Sequence, residues 1–167
     1  VSLMANSDSR PIASLPKNAP IPPVERYAYR SLDRQYIIGD GRLMSRPRPD
    51  LWRAHSQRQV FLTSLLTKTL GTGPALTACA AIPDLDGFSG RGAKDAVPLY
   101  RTADASEANI LPGLLDLLGK AIKRKVTPED FLAYVYCALA QPVFTESYAK
   151  ELETRELRVP ITKDAAL

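Results

Sequence analysis

The spacing of apolar residues changes partway along the chain, and that change limits the fold more than any single motif does. Up to Tyr100 the apolar residues fall in short runs: Tyr27-Ala28-Tyr29, Tyr36-Ile37-Ile38, Val60-Phe61-Leu62-Thr63, Leu76 to Ile82, and Val97-Pro98-Leu99-Tyr100. Runs of this length between glycine and proline signals, such as Gly39-Asp40-Gly41 and Gly71-Thr72-Gly73-Pro74, predict strands and turns. Beyond them Ile110, Leu111, Leu114, Leu115, Leu118 and Ile122 recur at helical spacing. Thr127-Pro128-Glu129-Asp130 then predicts a helix start. Threonine can cap, proline fits the first turn, and the acids favour the positive helix end. Phe131, Tyr134, Val135, Ala138 and Leu139 form one stripe behind it, and Pro142 opens a further helix through Phe144, Tyr148 and Leu152. The expected class is α+β, with a strand-rich first part and a helical last third.

Three regions follow. Residues 1–24 read as an extended leader, because prolines 11, 16, 20, 22 and 23 oppose regular helix. Residues 25–104 read as a mixed, strand-rich region, broken by a short helix opened by Pro49. Residues 105–167 read as helical. The 167 residues suffice for one domain with a sizeable core. No apolar run approaches the roughly 18 residues needed to cross a bilayer, so a membrane role is not expected. Cys79 and Cys137 sit in apolar surroundings and read as buried free thiols of a cytoplasmic protein, although a disulfide stays open.

The net charge of +4 suits a polyanionic partner, and its distribution says more than its sum. Between Arg26 and Arg58 lie Arg30, Arg34, Arg42, Arg46, Arg48 and Arg53, against only Asp33, Asp40 and Asp50. Local pairing cannot absorb that excess, which points to an anion-binding surface. Trp52, Tyr27, Tyr29 and Tyr36 are interleaved with the arginines and read as core residues before base-stacking ones.

Catalytic signals are weak. Gly87-Phe88-Ser89-Gly90-Arg91-Gly92-Ala93-Lys94 lacks the lysine directly after the last glycine, and the following Ser or Thr, that a phosphate loop needs. It reads as a flexible basic loop able to reach a DNA groove through Arg91 and Lys94. Gly71-Thr72-Gly73 is followed by proline where a nucleotide site would open a helix, and reads as a turn. His55 is the single histidine. With no partner at a triad or zinc spacing, it reads as an exposed side chain. Asp84 and Asp86 read as a solvated turn.

Several ordered motifs resemble one family. Arg26-Tyr27-Ala28-Tyr29-Arg30-Ser31-Leu32-Asp33-Arg34 is similar to an R-Y-x-Y-R-P-F-D-x-R segment that follows the adenine methyltransferase domain of single-chain restriction–modification enzymes. Arg46-Pro47-Arg48-Pro49-Asp50-Leu51-Trp52 and Asp86-Gly87-Phe88-Ser89-Gly90-Arg91-Gly92 also resemble it. The fullest likeness runs from Thr127-Pro128-Glu129-Asp130 through Tyr134-Val135-Tyr136-Cys137-Ala138-Leu139, Gln141-Pro142 and Tyr148-Ala149-Lys150-Glu151-Leu152 to Arg158-Val159-Pro160-Ile161-Thr162-Lys163-Asp164. Ser31-Leu32 stands where the family has Pro-Phe, Gln141 where it has Ser, and Phe144 where it has Tyr. The family is that of Type ISP-like enzymes and related Type II methylases.

The resemblance implies a target-recognition fragment of a longer bacterial enzyme, without catalytic motifs or a cofactor of its own. S-adenosylmethionine, ATP and Mg²⁺ are implied for the parent. Double-stranded DNA and the remaining domains of the parent are the implied partners. Expected DNA contacts are Arg42, Arg46, Arg48, Arg53, Arg58, Arg91 and Lys94. A rival expectation is a coupling or scaffold module that touches no DNA; a third is a small enzyme of unrecognised chemistry.

Overall fold

The computed structural model describes residues 12–14, 16–20, 22–30, 32–44, 47–64, 74–85, 87, 95–152, 158–162 and 164. It has the expected α+β class. Strands β1 (Val24–Arg30) and β2 (Asp33–Ile38) form a hairpin, β5 (Ile82–Pro83) adds to β1 in parallel, and the sheet order is β2-β1-β5. A second, antiparallel sheet has the order β4-β3-β6, from β3 (Phe61–Ser64), β4 (Leu76–Cys79) and β6 (Asp95–Pro98). Helix α1 (Pro49–Ala54) precedes β3. Helices α2 (Leu114–Ile122), α3 (Pro128–Ala140), α4 (Pro142–Ser147) and α5 (Ala149–Leu152) follow the sheets.

Alternation along β3 organises the core. Successive side chains on a strand point to opposite faces. Phe61 therefore joins Tyr27, Leu51, Trp52 and Ile82 on one face, while Leu62 joins Leu76, Val135 and Leu139 on the other. The first cluster binds the hairpin and α1 to the second sheet; the second binds α3 to it. Phe61, Ile82 and Leu139 are fully buried, and each such side chain contributes about 1.5–3 kcal/mol through the water it sheds.

The helix start at Thr127 has the geometry its sequence predicts. The Thr127 hydroxyl accepts the Asp130 N–H at 3.1 Å, and the Asp130 carboxylate accepts the Thr127 N–H at 2.9 Å. Two terminal N–H groups are thereby satisfied reciprocally. Pro49 opens α1, as expected.

Several expectations change. Ile110 and Leu111 lie before α2, which begins only after Gly113 at φ 83°. The helix opened by Pro142 is interrupted at Tyr148, giving α4 and α5. The run from Leu76 to Ile82 is split between two sheets. Both cysteines are free, but neither is buried: Cys79 is half-buried and Cys137 is exposed. On α3 the core takes Val135 and Leu139, one turn apart, which turns Cys137 to the opposite side. His55 is not an exposed side chain either. It is half-buried, edge-on to Trp52 and stacked on Phe61, with both centroid distances 6.3 Å. Among the described residues no helix is long and apolar enough to cross a membrane.

Candidate nucleic-acid interface

The β1–β2 hairpin buries two adjacent residues of β1 and leaves its other side chains partly or fully exposed. Tyr27 and Ala28 go inward, whereas Val24, Arg26, Tyr29, Tyr36 and Ile38 are exposed. Arg26 lies opposite Tyr36 across the ladder, so one face presents a cation beside an aromatic ring. A register shift between Ala28 and Arg30 bends the hairpin near its tip. Arg34 donates to the backbone carbonyls of Asp33 at 3.3 Å and Arg30 at 3.5 Å. Among the described residues, neither Arg26 nor Arg34 forms an ion pair with a carboxylate.

A cleft of about 230 Å³ opens between the hairpin and the second sheet. Arg30, Leu32 and Arg34 line it from the hairpin, Thr77 and Cys79 from β4, and Tyr136 from α3. The Thr63 and Thr77 hydroxyls share a hydrogen bond of 2.7 Å at its floor. Burial pushes the Cys79 thiol above its usual pKa, a shift that Arg34 opposes. Gly87, the first residue of the glycine-rich loop, also borders this cleft. A basic rim over hydroxyls and one aromatic wall can receive a phosphate or a base edge.

A polar network supports the hairpin from behind. Tyr27 donates to the Asp84 carboxylate at 2.7 Å, and the Arg30 guanidinium lies 3.6 Å from the same carboxylate. Burial first, and then Asp84, raise the Tyr27 pKa, so its hydroxyl stays protonated and donates. Asp84 is thus a tether rather than a solvated turn residue. Arg48 is half-buried nearby. Burial lowers its pKa, while Tyr27, Asp95 and Asp84 oppose that shift.

The arginines singled out from the sequence have different settings. Arg42 is nearly sealed with Asp40, its side chain 8% exposed; Asp40 accepts the Arg42 backbone N–H at 3.0 Å and its Nε at 2.7 Å. Arg53 is exposed and paired with Asp50 one turn earlier on α1. Arg58 is exposed, 3.4 Å from Glu129, with its guanidinium 5.6 Å from the Tyr100 ring centre. Tyr100 also donates to Glu129. Acids distant in sequence, Asp84 and Glu129, thus join the local Asp40 and Asp50 in pairing with the arginines. Arg46, Arg91 and Lys94 lie outside the described residues, as do Asp86 and the segment 71–73. Among the described residues no cluster of His, Cys, Asp and Glu could hold a metal ion.

Arg26, Arg34, Tyr36 and the threonine pair were not singled out from the sequence as contact residues. The signal for the first three was the arginine excess between Arg26 and Arg58 with its interleaved aromatics. The threonine pair needs the β3–β4 register and has no local signature.

The model of the Type ISP C-terminal specificity domain family matches residues 4–167. No curated protein and no solved structure matches the chain.

Proposed function

Because the chain belongs to the Type ISP C-terminal specificity domain family, we propose that it binds duplex DNA across the β1–β2 hairpin and its adjoining cleft. It reads a short target there for a bacterial restriction–modification enzyme. The parent modifies an adenine with S-adenosylmethionine and draws on ATP and Mg²⁺; this chain supplies recognition and no catalytic group. The observation that carries this reading is the exposed basic hairpin, with Arg26 beside Tyr36 and Arg34 at the rim of the cleft.

Arg26, Arg34, Arg53 and Arg58 contact phosphates directly, since their side chains reach or border the surface. Arg42, paired with Asp40, and the half-buried Arg48 add positive charge from behind the surface. Arg46, Arg91 and Lys94 are further contacts in this proposal, with Arg91 reading a base edge through its planar donor fork. Phosphate contacts set register and base contacts set sequence. The helical part also has a second role, packing against the remaining domains of the parent. Leu111, Leu117 and Val143 support this because each is a large apolar side chain left exposed.

Fluorescence anisotropy of a labelled duplex across a salt series tests the phosphate surface. The log of the affinity is expected to fall with log salt by about 0.9 per contact. Combined replacement of Arg26, Arg34 and Arg53 by glutamine should flatten that slope by roughly two to three. Binding that ignores both salt and the triple substitution would remove the hairpin from the interface.

A further inference from the structure

We propose that Leu32 is a wedge that enters the base stack of the bound duplex from the hairpin tip. The inference rests on the DNA-binding reading above and adds to it an act of unstacking. Leu32 is 95% exposed. It follows the last residue of β1 by two positions and directly precedes β2, which opens at the Arg30↔Asp33 pair. Its φ is 65°, a left-handed conformation that glycine adopts freely and asparagine more readily than leucine. The position is therefore unfavourable twice over. The backbone is strained for a leucine, and the whole apolar side chain is held in water. Neither cost helps the hairpin to fold, since glycine would close the same turn without them. An outlier of this kind points to a binding role that recovers the cost.

The surroundings favour DNA as the occupant. Arg30 and Arg34 flank the tip at two residues on either side, and Arg26 continues the basic strip along β1. The bonds from Arg34 to the carbonyls of Arg30 and Asp33 fold its guanidinium against the tip. The Arg30 guanidinium lies 4.4 Å from the Tyr29 ring centre. An apolar point between cations matches a polymer whose charge is outside and whose apolar bases are stacked within. Proteins that insert leucine or phenylalanine between base steps use this combination to kink the helix. The ladder from Val24↔Ile38 to Arg30↔Asp33 supplies the stiffness a wedge needs.

The test uses two short duplexes that differ only by a central mismatched pair, and the full chain as wild type, Leu32→Gly and Leu32→Phe. A mismatch is already partly unstacked, so a wedge gains by entering there. The wild type is expected to bind the mismatched duplex about tenfold more tightly than the paired one. It should also brighten a 2-aminopurine placed beside the mismatch. Leu32→Gly should lose the preference and the brightening while keeping the salt slope, which the phosphate contacts set, and Leu32→Phe should keep the preference and the brightening. Glycine suits φ 65°, so loss of folding cannot imitate the result. A preference that survives in Leu32→Gly, or that is absent from the wild type, would overturn the wedge and leave DNA binding intact. Failure of the wild type to bind either duplex would overturn both readings. Leu32-dependent sedimentation with phosphatidylserine vesicles, without the duplex effects, would reassign the tip to an anionic membrane surface.

Discussion

Replacing Gln59 with leucine should destabilise the fold by about 3–5 kcal/mol, given what its amide satisfies. Gln59 is 1% exposed. Its Nε2 donates to the Ala54 carbonyl at 2.7 Å and to the Tyr100 carbonyl at 2.8 Å, and its Oε1 accepts the Tyr100 N–H at 3.0 Å. One side chain thus joins the end of α1 to the strand-like segment after β6. Leucine approximates the volume but leaves one N–H and two carbonyls without this partner. Each buried unsatisfied group costs about 1–3 kcal/mol, and carbonyls tolerate the loss better than N–H groups do. Their sum is a large part of the roughly 5–15 kcal/mol that holds a domain folded. Urea denaturation followed by circular dichroism gives the change from the shift in midpoint multiplied by the slope. Gln57→Leu is the control; Gln57 is exposed, so its replacement should stay within about 0.5 kcal/mol. A Gln59→Leu loss below about 1 kcal/mol would refute the claim that the three bonds act together.

Two further outcomes follow from the packing of the helices. The Tyr100 hydroxyl, and then Arg58, hold the Glu129 carboxyl below its ordinary value of 4.5. A depressed carboxylate stabilises the fold above its unfolded pKa and loses that contribution as pH falls through the folded one. The urea midpoint of the wild type should therefore exceed that of Glu129→Gln at neutral pH by no more than about 1 kcal/mol equivalent, because the side chain is half exposed. The gap should close below pH 4.5, and a gap independent of pH would contradict the assignment. Iodoacetamide should alkylate Cys137 well before Cys79, since Cys137 is exposed while burial raises the Cys79 pKa. Peptide mass mapping reads the order, and preferential labelling of Cys79 would show that the cleft is more open than described.

The legible parts of this molecule are those fixed by neighbours in sequence. Thr127 and Asp130 are three residues apart, so their reciprocal cap could be read from spacing alone. Pro49 and the short apolar run around Tyr27 likewise gave their elements. Even Asp40 and Arg42 are close enough to pair locally, yet their burial depends on packing that spacing does not show. Arg58 meets Glu129 across 71 residues, and Gln59 meets Tyr100 across 41. No local pattern distinguishes those side chains from solvated ones. The same holds for the cleft, whose walls come from the hairpin, β4 and α3. The wedge position was readable only as an apolar residue inside a basic run, because its exposure follows from where the hairpin turns.

The central claim is that this chain reads DNA sequence, and selection from a randomised duplex pool tests it most directly. The full chain is immobilised at moderate salt, bound duplexes are amplified, and the cycle is repeated before sequencing. The account predicts that the recovered duplexes converge on one short asymmetric sequence, and that substituting Arg26, Arg34 and Arg53 weakens recovery of all duplexes alike. A pool that stays random after repeated cycles, or a chain that retains no duplex at low salt, would contradict it.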